Sequence, residues 1–290
     1  MRSFFIQSVF FLFSCVTFAQ EKTPFATHEF SSDQEYQNKL EILEKKPTSK
    51  EAYRDVILWA SEHKDYETVI LYYSKLIENG HENAENYFGL AGANGIRIDE
   101  ISKFKALPYV DAMKTNFLKA HQLNPKHTPT LMALVKVYAK LPGFLGGSYS
   151  KARKYAELLS ALSSIEGMLA EGFILESENK RNEAKKIYNQ AFNQLTFLDD
   201  CNPDELKVFF GNRSQNLSFE IASIGLAFDL NVNKSICSLS YFLEKFDMQD
   251  NLPKEWVYYK LGLLHERINK KEQADKYRSL ALEINPKFKP

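Results

Sequence analysis

The chain has 290 residues, with 37 Lys plus Arg against 37 Asp plus Glu, and 44% of its residues are hydrophobic. Balanced charge argues against a basic nucleic-acid binder, and an apolar fraction this high with only 12 Gly and 10 Pro argues against a disordered or collagen-like polymer. A chain of this length folds as one elongated domain or two compact ones.

The first element is a leader. Arg2 precedes an apolar run from Phe4 to Phe13, and Thr17-Phe18-Ala19 places small residues where signal peptidase cuts, so residues 1–19 read as a signal peptide. Export to the periplasm or medium is the expectation. The run is too broken by Gln7, Ser14 and Thr17 for a spanning helix, and no later stretch reaches that length, so no transmembrane span is expected. Leu12-Phe13-Ser14-Cys15 offers a rival, a lipid anchor at Cys15 on an outer-membrane-associated lipoprotein, although Phe13 fits that motif poorly. Cys201 and Cys237 then remain, and the expectation is two free or packed thiols, with a bridge open on count alone. Residues 20–30 read as unstructured, and Ser32-Asp33 starts a helix in the segment 20–48 that carries Tyr36, Leu40 and Leu43 on one face, as a cap for the following array.

From residue 49 onward the apolar spacing is helical and recurrent. Thr48-Ser49-Lys50-Glu51 has the form of a capping box. Tyr53, Val56, Ile57 and Ala60 are followed by Val69, Tyr73 and Leu76. Tyr87 comes 34 residues after Tyr53 and opens a second pair whose second helix, with Met113, Phe117 and Ala120, arrives late. Thr128-Pro129 starts a third pair through Leu131, Leu134 and Tyr138, completed by Ala152, Ala156 and Leu159. Met168, Gly172, Leu175, Ala184, Tyr188 and Ala191 form a fourth. Asn202-Pro203-Asp204-Glu205 predicts an extra helix over 203–211, before a fifth pair with Gly225, Phe228, Cys237 and Tyr241. The sixth runs Tyr258-x2-Leu261-Gly262-x2-His265, then Ala274, Ala281 and Pro286, the spacing of a tetratricopeptide repeat apart from His265 and Arg278. Gly262 and Ala274 are small so that two helices approach closely. Six such pairs predict an all-α, tetratricopeptide-like helical-hairpin solenoid over 49–290, a right-handed superhelix rather than a generic bundle.

Two stretches interrupt the period, near 95–108 and 141–149. Ser102-Lys103-Phe104-Lys105-Ala106-Leu107, Asn124-Pro125 and Leu141-Pro142-Gly143-Phe144-Leu145-Gly146-Gly147-Ser148 resemble segments of a group of exported bacterial tetratricopeptide-repeat proteins. The resemblance covers about a third of the chain and implies a periplasmic or secreted protein without a defined enzymatic role. The wider superfamily implies protein or peptide binding on a concave surface.

Both stretches are expected at turns along one edge, packed on each other or forming a small anion site from Arg97, Lys103, Lys105 and backbone amides. Gly143, Gly146 and Gly147 are expected to supply positive φ, with the loop against Phe104 or Tyr149. The concave face follows from stepping one residue off the packing register of each first helix. That step nominates Arg54, Leu58, Phe88, Met132, Phe173, Phe219, Leu226, Trp256, Tyr259 and Leu263, an apolar surface suited to a helical or extended peptide. No HExxH, CxxC or G-x-S-x-G pattern occurs, so neither cofactor nor metal is expected and direct catalysis ranks last. Lys180, Arg181, Lys185 and Lys186 read as a solvated face. The expected function is a non-enzymatic scaffold for a protein or peptide. The alternative is an accessory protein holding a small apolar or anionic ligand between groove and insertions.

Overall fold

The computed structural model describes residues 34–211, 216–246 and 253–290, with Lys103 and Phe104 described by their backbone. The leader, Cys15, residues 20–30 and the Ser32-Asp33 cap fall outside the described residues. Among the described residues every regular element is helical. The chain divides into two units, one ending at Tyr155 and the other beginning at Ala156.

The first unit holds α1 (Gln34–Lys45), α2 (Lys50–Glu62), α3 (Tyr66–Glu78), α4 (Ala84–Glu100), α5 (Lys103–Leu123), α6 (Thr128–Lys140) and the first half of α7 (Tyr149–Leu162). Side-chain caps start three of them: Ser49, Asp65 and Asn83 accept from the amides of Ala52, Thr68 and Asn86. On α1, Tyr36 and Leu40 pack with buried Leu43 on the α2/α3 core, and the Tyr36 ring stacks on Trp59 at 4.7 Å. Each large apolar side chain buried this way contributes about 1.5–3 kcal/mol. The stretch near 95–108 is helix rather than an inserted loop. It lengthens α4 to 17 residues and α5 to 21, leaving Ile101 and Ser102 as the link. Ala93 and Ile98 keep the helical register buried through it, which is why the chain does not loop out. The third pair closes by the Tyr155 ring stacking on Tyr138 at 5.7 Å.

The second unit holds α8 (Ser164–Ser177), α9 (Arg181–Gln194), a single 3-10 turn (Thr196–Leu198), α10 (Pro203–Phe210), α11 (Asn216–Phe228), α12 (Val232–Glu244), α13 (Lys254–Arg267) and α14 (Lys271–Ile284). The extra helix stands where Asn202 caps it, accepting from the amides of Asp204 and Glu205. The glycines of the first helices lie in tight contacts. A Cβ at Gly172 would strike the Tyr188 ring, one at Gly225 would strike Ser235 Oγ, and one at Gly262 would come within 3.2 Å of the Ala274 carbonyl oxygen. Gly89 of α4 meets Tyr73 of α3 in the same way.

Four pairs share one turn. Lys64, Asn179, Asp229 and Asn269 take left-handed φ of 60°, 62°, 55° and 58°. The residue after each donates its amide to the carbonyl five positions back: Asp65 to Ala60, Lys180 to Leu175, Leu230 to Gly225 and Lys270 to His265, at 2.8–3.0 Å. This is the Schellman closure of a helix C-terminus. Its recurrence, with the tight glycines, makes each unit a stack of tetratricopeptide-like hairpins. Cys201 and Cys237 depart from the expected free thiols, being joined in a disulfide with Cα atoms 5.6 Å apart.

Candidate functional site

The glycine-rich segment after α6 is the most distinctive surface feature of the first unit. Pro142 leads a 3-10 turn, Gly143–Leu145, closed by Leu145 N–H to the Pro142 carbonyl and Gly146 N–H to the Gly143 carbonyl. Gly147 N–H also donates to Pro142, and Ser148 N–H donates to the Tyr138 carbonyl at 2.8 Å. Only one of the three glycines does what was expected of all: Gly146 has φ +91°, while Gly143 and Gly147 do not. Gly147 is required for space instead, since a Cβ there would collide with the Leu141 carbonyl. Lys114 of α5 holds the loop from outside, its Nζ donating to the Leu145 carbonyl at 3.2 Å and pairing with Asp111 at 3.3 Å. That lysine is an anchor of the loop among the described side chains. At the centre of this tied loop Phe144 is 73% exposed.

Among the described residues, the groups nominated for an anion site are engaged elsewhere or stand apart in solvent. Four successive amides, 145–148, are already used by carbonyls of the same pair. Arg97 is held by Glu67 and by Glu100, the latter at 3.1 Å. Lys105 and Tyr149 are exposed, Tyr149 at 39%. Nothing is assigned to the side chains of Lys103 and Phe104, which lie outside the described residues.

The residues nominated for a concave face divide by burial. In the first unit Arg54 and Leu58 are exposed on α2, but Met132 is buried and Phe88 packs between Phe117 at 5.6 Å and His127 at 5.2 Å. In the second unit Phe219 is 2% exposed, inside a core shared with Leu239, Phe242 and Leu261, with Leu226 packed against it. Trp256 and Tyr259 contact each other at 6.0 Å and are both covered by Phe288, at 4.9 and 5.8 Å. Phe173 and Leu263 are half-buried. Phe219 fails as a surface residue because α11 is buried on every side from Leu217 to Gly225, so a one-residue step off register still points into packing. Arg181 is exposed, as expected of a solvated face, and also donates to the Ala227 carbonyl at 2.6 Å and lies over the Phe228 ring.

One constellation has the form of catalytic machinery. His127 places Nε2 3.1 Å from a Glu85 carboxylate oxygen and Nδ1 2.6 Å from Thr130 Oγ1. Acid, imidazole and hydroxyl in that order can activate a nucleophile. Thr130 is fully buried in the first turn of α6, however, so its hydroxyl meets no substrate and the group serves as a helix-start clamp. Among the described residues no three His, Cys, Asp or Glu side chains converge as metal ligands. No helix among them is long and apolar enough to cross a membrane.

These hairpins, their shared turn and the glycine contacts define an all-α protein of tetratricopeptide-like construction. No family model matches the chain, and no curated protein does. Among solved structures it is similar to a crystal structure of a tetratricopeptide repeat protein from Parabacteroides merdae ATCC 43184. That likeness has 11% identity and a TM-score of 0.46, covering 86% of this chain and 85% of the other.

Proposed function

We propose that this chain is a non-enzymatic scaffold, exported to the cell envelope or secreted, that captures a protein or peptide partner. A stack of tetratricopeptide-like hairpins supports the partner class, since such arrays serve to present extended binding surfaces. The leader-like sequence over 1–19 supports export, and so does a disulfide in a chain with so few cysteines. The observation that carries the reading is Phe144, an aromatic ring held in solvent by a loop whose four following amides are bonded. A rigid, exposed aromatic loses little entropy on binding and is the type of residue that anchors interfaces. Arg54 and Leu58 form the competing first-helix surface. Of the six nominated residues of the second unit, Phe219 is buried and the other five are half-buried.

The test is cross-linked capture from native envelope with the wild-type chain, Phe144→Ala and Leu58→Asp. Phe144→Ala is expected to weaken capture of the dominant partner by about 30-fold, as for an anchor worth about 2 kcal/mol, without lowering the melting temperature. Full capture by Phe144→Ala together with loss in Leu58→Asp transfers the site to the first-helix surface. A bound small molecule in native mass spectrometry, with no protein captured, overturns the scaffold reading.

A further inference from the structure

Three side chains on one side of α12 hold the segment that lies between α9 and α11. Lys234, Cys237 and Tyr241 follow at spacings of three and four, so they share a helix face. Lys234 Nζ reaches Asp199 at 3.3 Å and the Phe192 carbonyl at 2.8 Å. Cys237 is bonded to Cys201, and the Tyr241 ring stacks on Phe210 at 4.9 Å. The three α12 side chains are buried, at 5%, 1% and 8% exposure. Their partners are not uniformly so: Asp199 and Cys201 are exposed, and Cys201 sits in a left-handed turn with φ 50°.

We propose that residues 196–210 form a strap along α12, latched by the Cys201–Cys237 disulfide, and that a dithiol reductant releases it by thiol–disulfide exchange. Cys201 is the exposed half of the bond, so the reductant's thiolate attacks its sulfur. The S–S bond breaks, Cys237 leaves as a thiolate and takes a proton, and a mixed disulfide forms on Cys201. The second thiol of the reductant then displaces Cys201, which is also protonated. Two electrons and two protons have passed to the protein, and the dithiol has become a disulfide. What remains is non-covalent: the Lys234–Asp199 pair, whose carboxylate is half-exposed, and the buried side chains of Leu198, Leu206 and Phe210. The covalent bond also closes a stretch separated by 36 positions, and that restraint is lost with it. The opened state presents the Cys237–Tyr241 side of α12 to solvent.

The experiment is amide hydrogen exchange on the full chain in three forms: oxidised, treated with dithiothreitol, and carrying Cys201→Ser. Amides of α10 are expected to exchange at least tenfold faster in the second and third forms, with α13 and α14 unchanged. Equal α10 exchange in the oxidised and reduced wild type overturns the latch. So does alkylation of both thiols in the native, untreated protein, which would show that no bond exists. If Cys201→Ser exchanges everywhere, Cys237→Ala replaces it, since alanine suits the small-residue place that Cys237 occupies. A slow α10 in that variant again overturns the proposal.

Discussion

A single methyl group distinguishes the tight helix contacts of this protein from the loose ones. Gly92, on α4, has nothing within 4 Å of where a Cβ would stand, whereas a Cβ at Gly172 meets the Tyr188 ring. That ring cannot step aside, being 1% exposed and fixed by its hydroxyl donating to Glu176 at 2.8 Å. Alanine in place of glycine inside a helix gains about 1 kcal/mol, and overpacking a filled site costs about 1–3 kcal/mol. Gly92→Ala is therefore expected to stabilise by up to about 1 kcal/mol and Gly172→Ala to destabilise by up to about 2 kcal/mol, read from urea midpoints. Midpoint shifts of the same sign would contradict the packing described for Gly172. These contacts were legible because a small residue facing a large one leaves a periodic trace. The surface residues were not, because the step from packing register to open face assumes helices covered on one side only. That assumption holds at Arg54 and Leu58, and fails at Phe219 on the enclosed α11 and at Trp256 beneath Phe288.

Elements were legible in number and position, while their connections were less so. The late arrival of Met113 and Phe117 was read as an inserted turn, but the chain used the same residues to extend two helices. The disulfide left no local signal. Cys237 matched a small-residue place in a hairpin, and its partner arrives from a segment outside the repeat. The last hairpin carries the clearest departure from the repeat pattern, His265, which is 8% exposed and stacks on Tyr277 of α14 at 5.2 Å. Its Nδ1 has no hydrogen-bond partner, and burial, then the positive charge of Lys270, holds its pKa below the ordinary 6.5. Arg278 and Glu266, the other charged pair lining this hairpin, bind one another. The folded hairpin thus favours the neutral imidazole, while the unfolded chain takes up a proton as pH falls through 6.5. Stability conferred by the neutral ring is complete above that value and is lost below it. Protection of the α13 and α14 amides, taken relative to the intrinsic exchange rate at each pH, is expected to fall from pH 7.5 to 5 more in the wild type than in His265→Phe. Carboxylates act on both proteins alike, so a gap between them that does not widen with acid would rule out His265 as the cause.

At the scale of the whole molecule, balanced charge and an apolar hairpin core say little about where the protein works, and the covalent chemistry says more. A bond between Cys201 and Cys237 persists in an oxidising compartment and is removed by cytosolic thiols. The proposed export rests on Arg2, the apolar run to Phe13 and Ala19, which would deliver the chain to such a compartment. The two features are independent, one lying in the first residues and the other in the second unit, so they can be tested against each other. Protein expressed with its leader and recovered from outside the cytoplasm is expected to start at Gln20 and to weigh two hydrogens less than its dithiol form. The same chain expressed from Gln20 in the cytosol is expected to carry both thiols and a fast-exchanging α10. Intact mass decides between the two routes of export as well. A diacylglyceryl group on a chain beginning at Cys15 would replace free secretion with anchoring, and would confine any partner of Phe144 to the membrane surface.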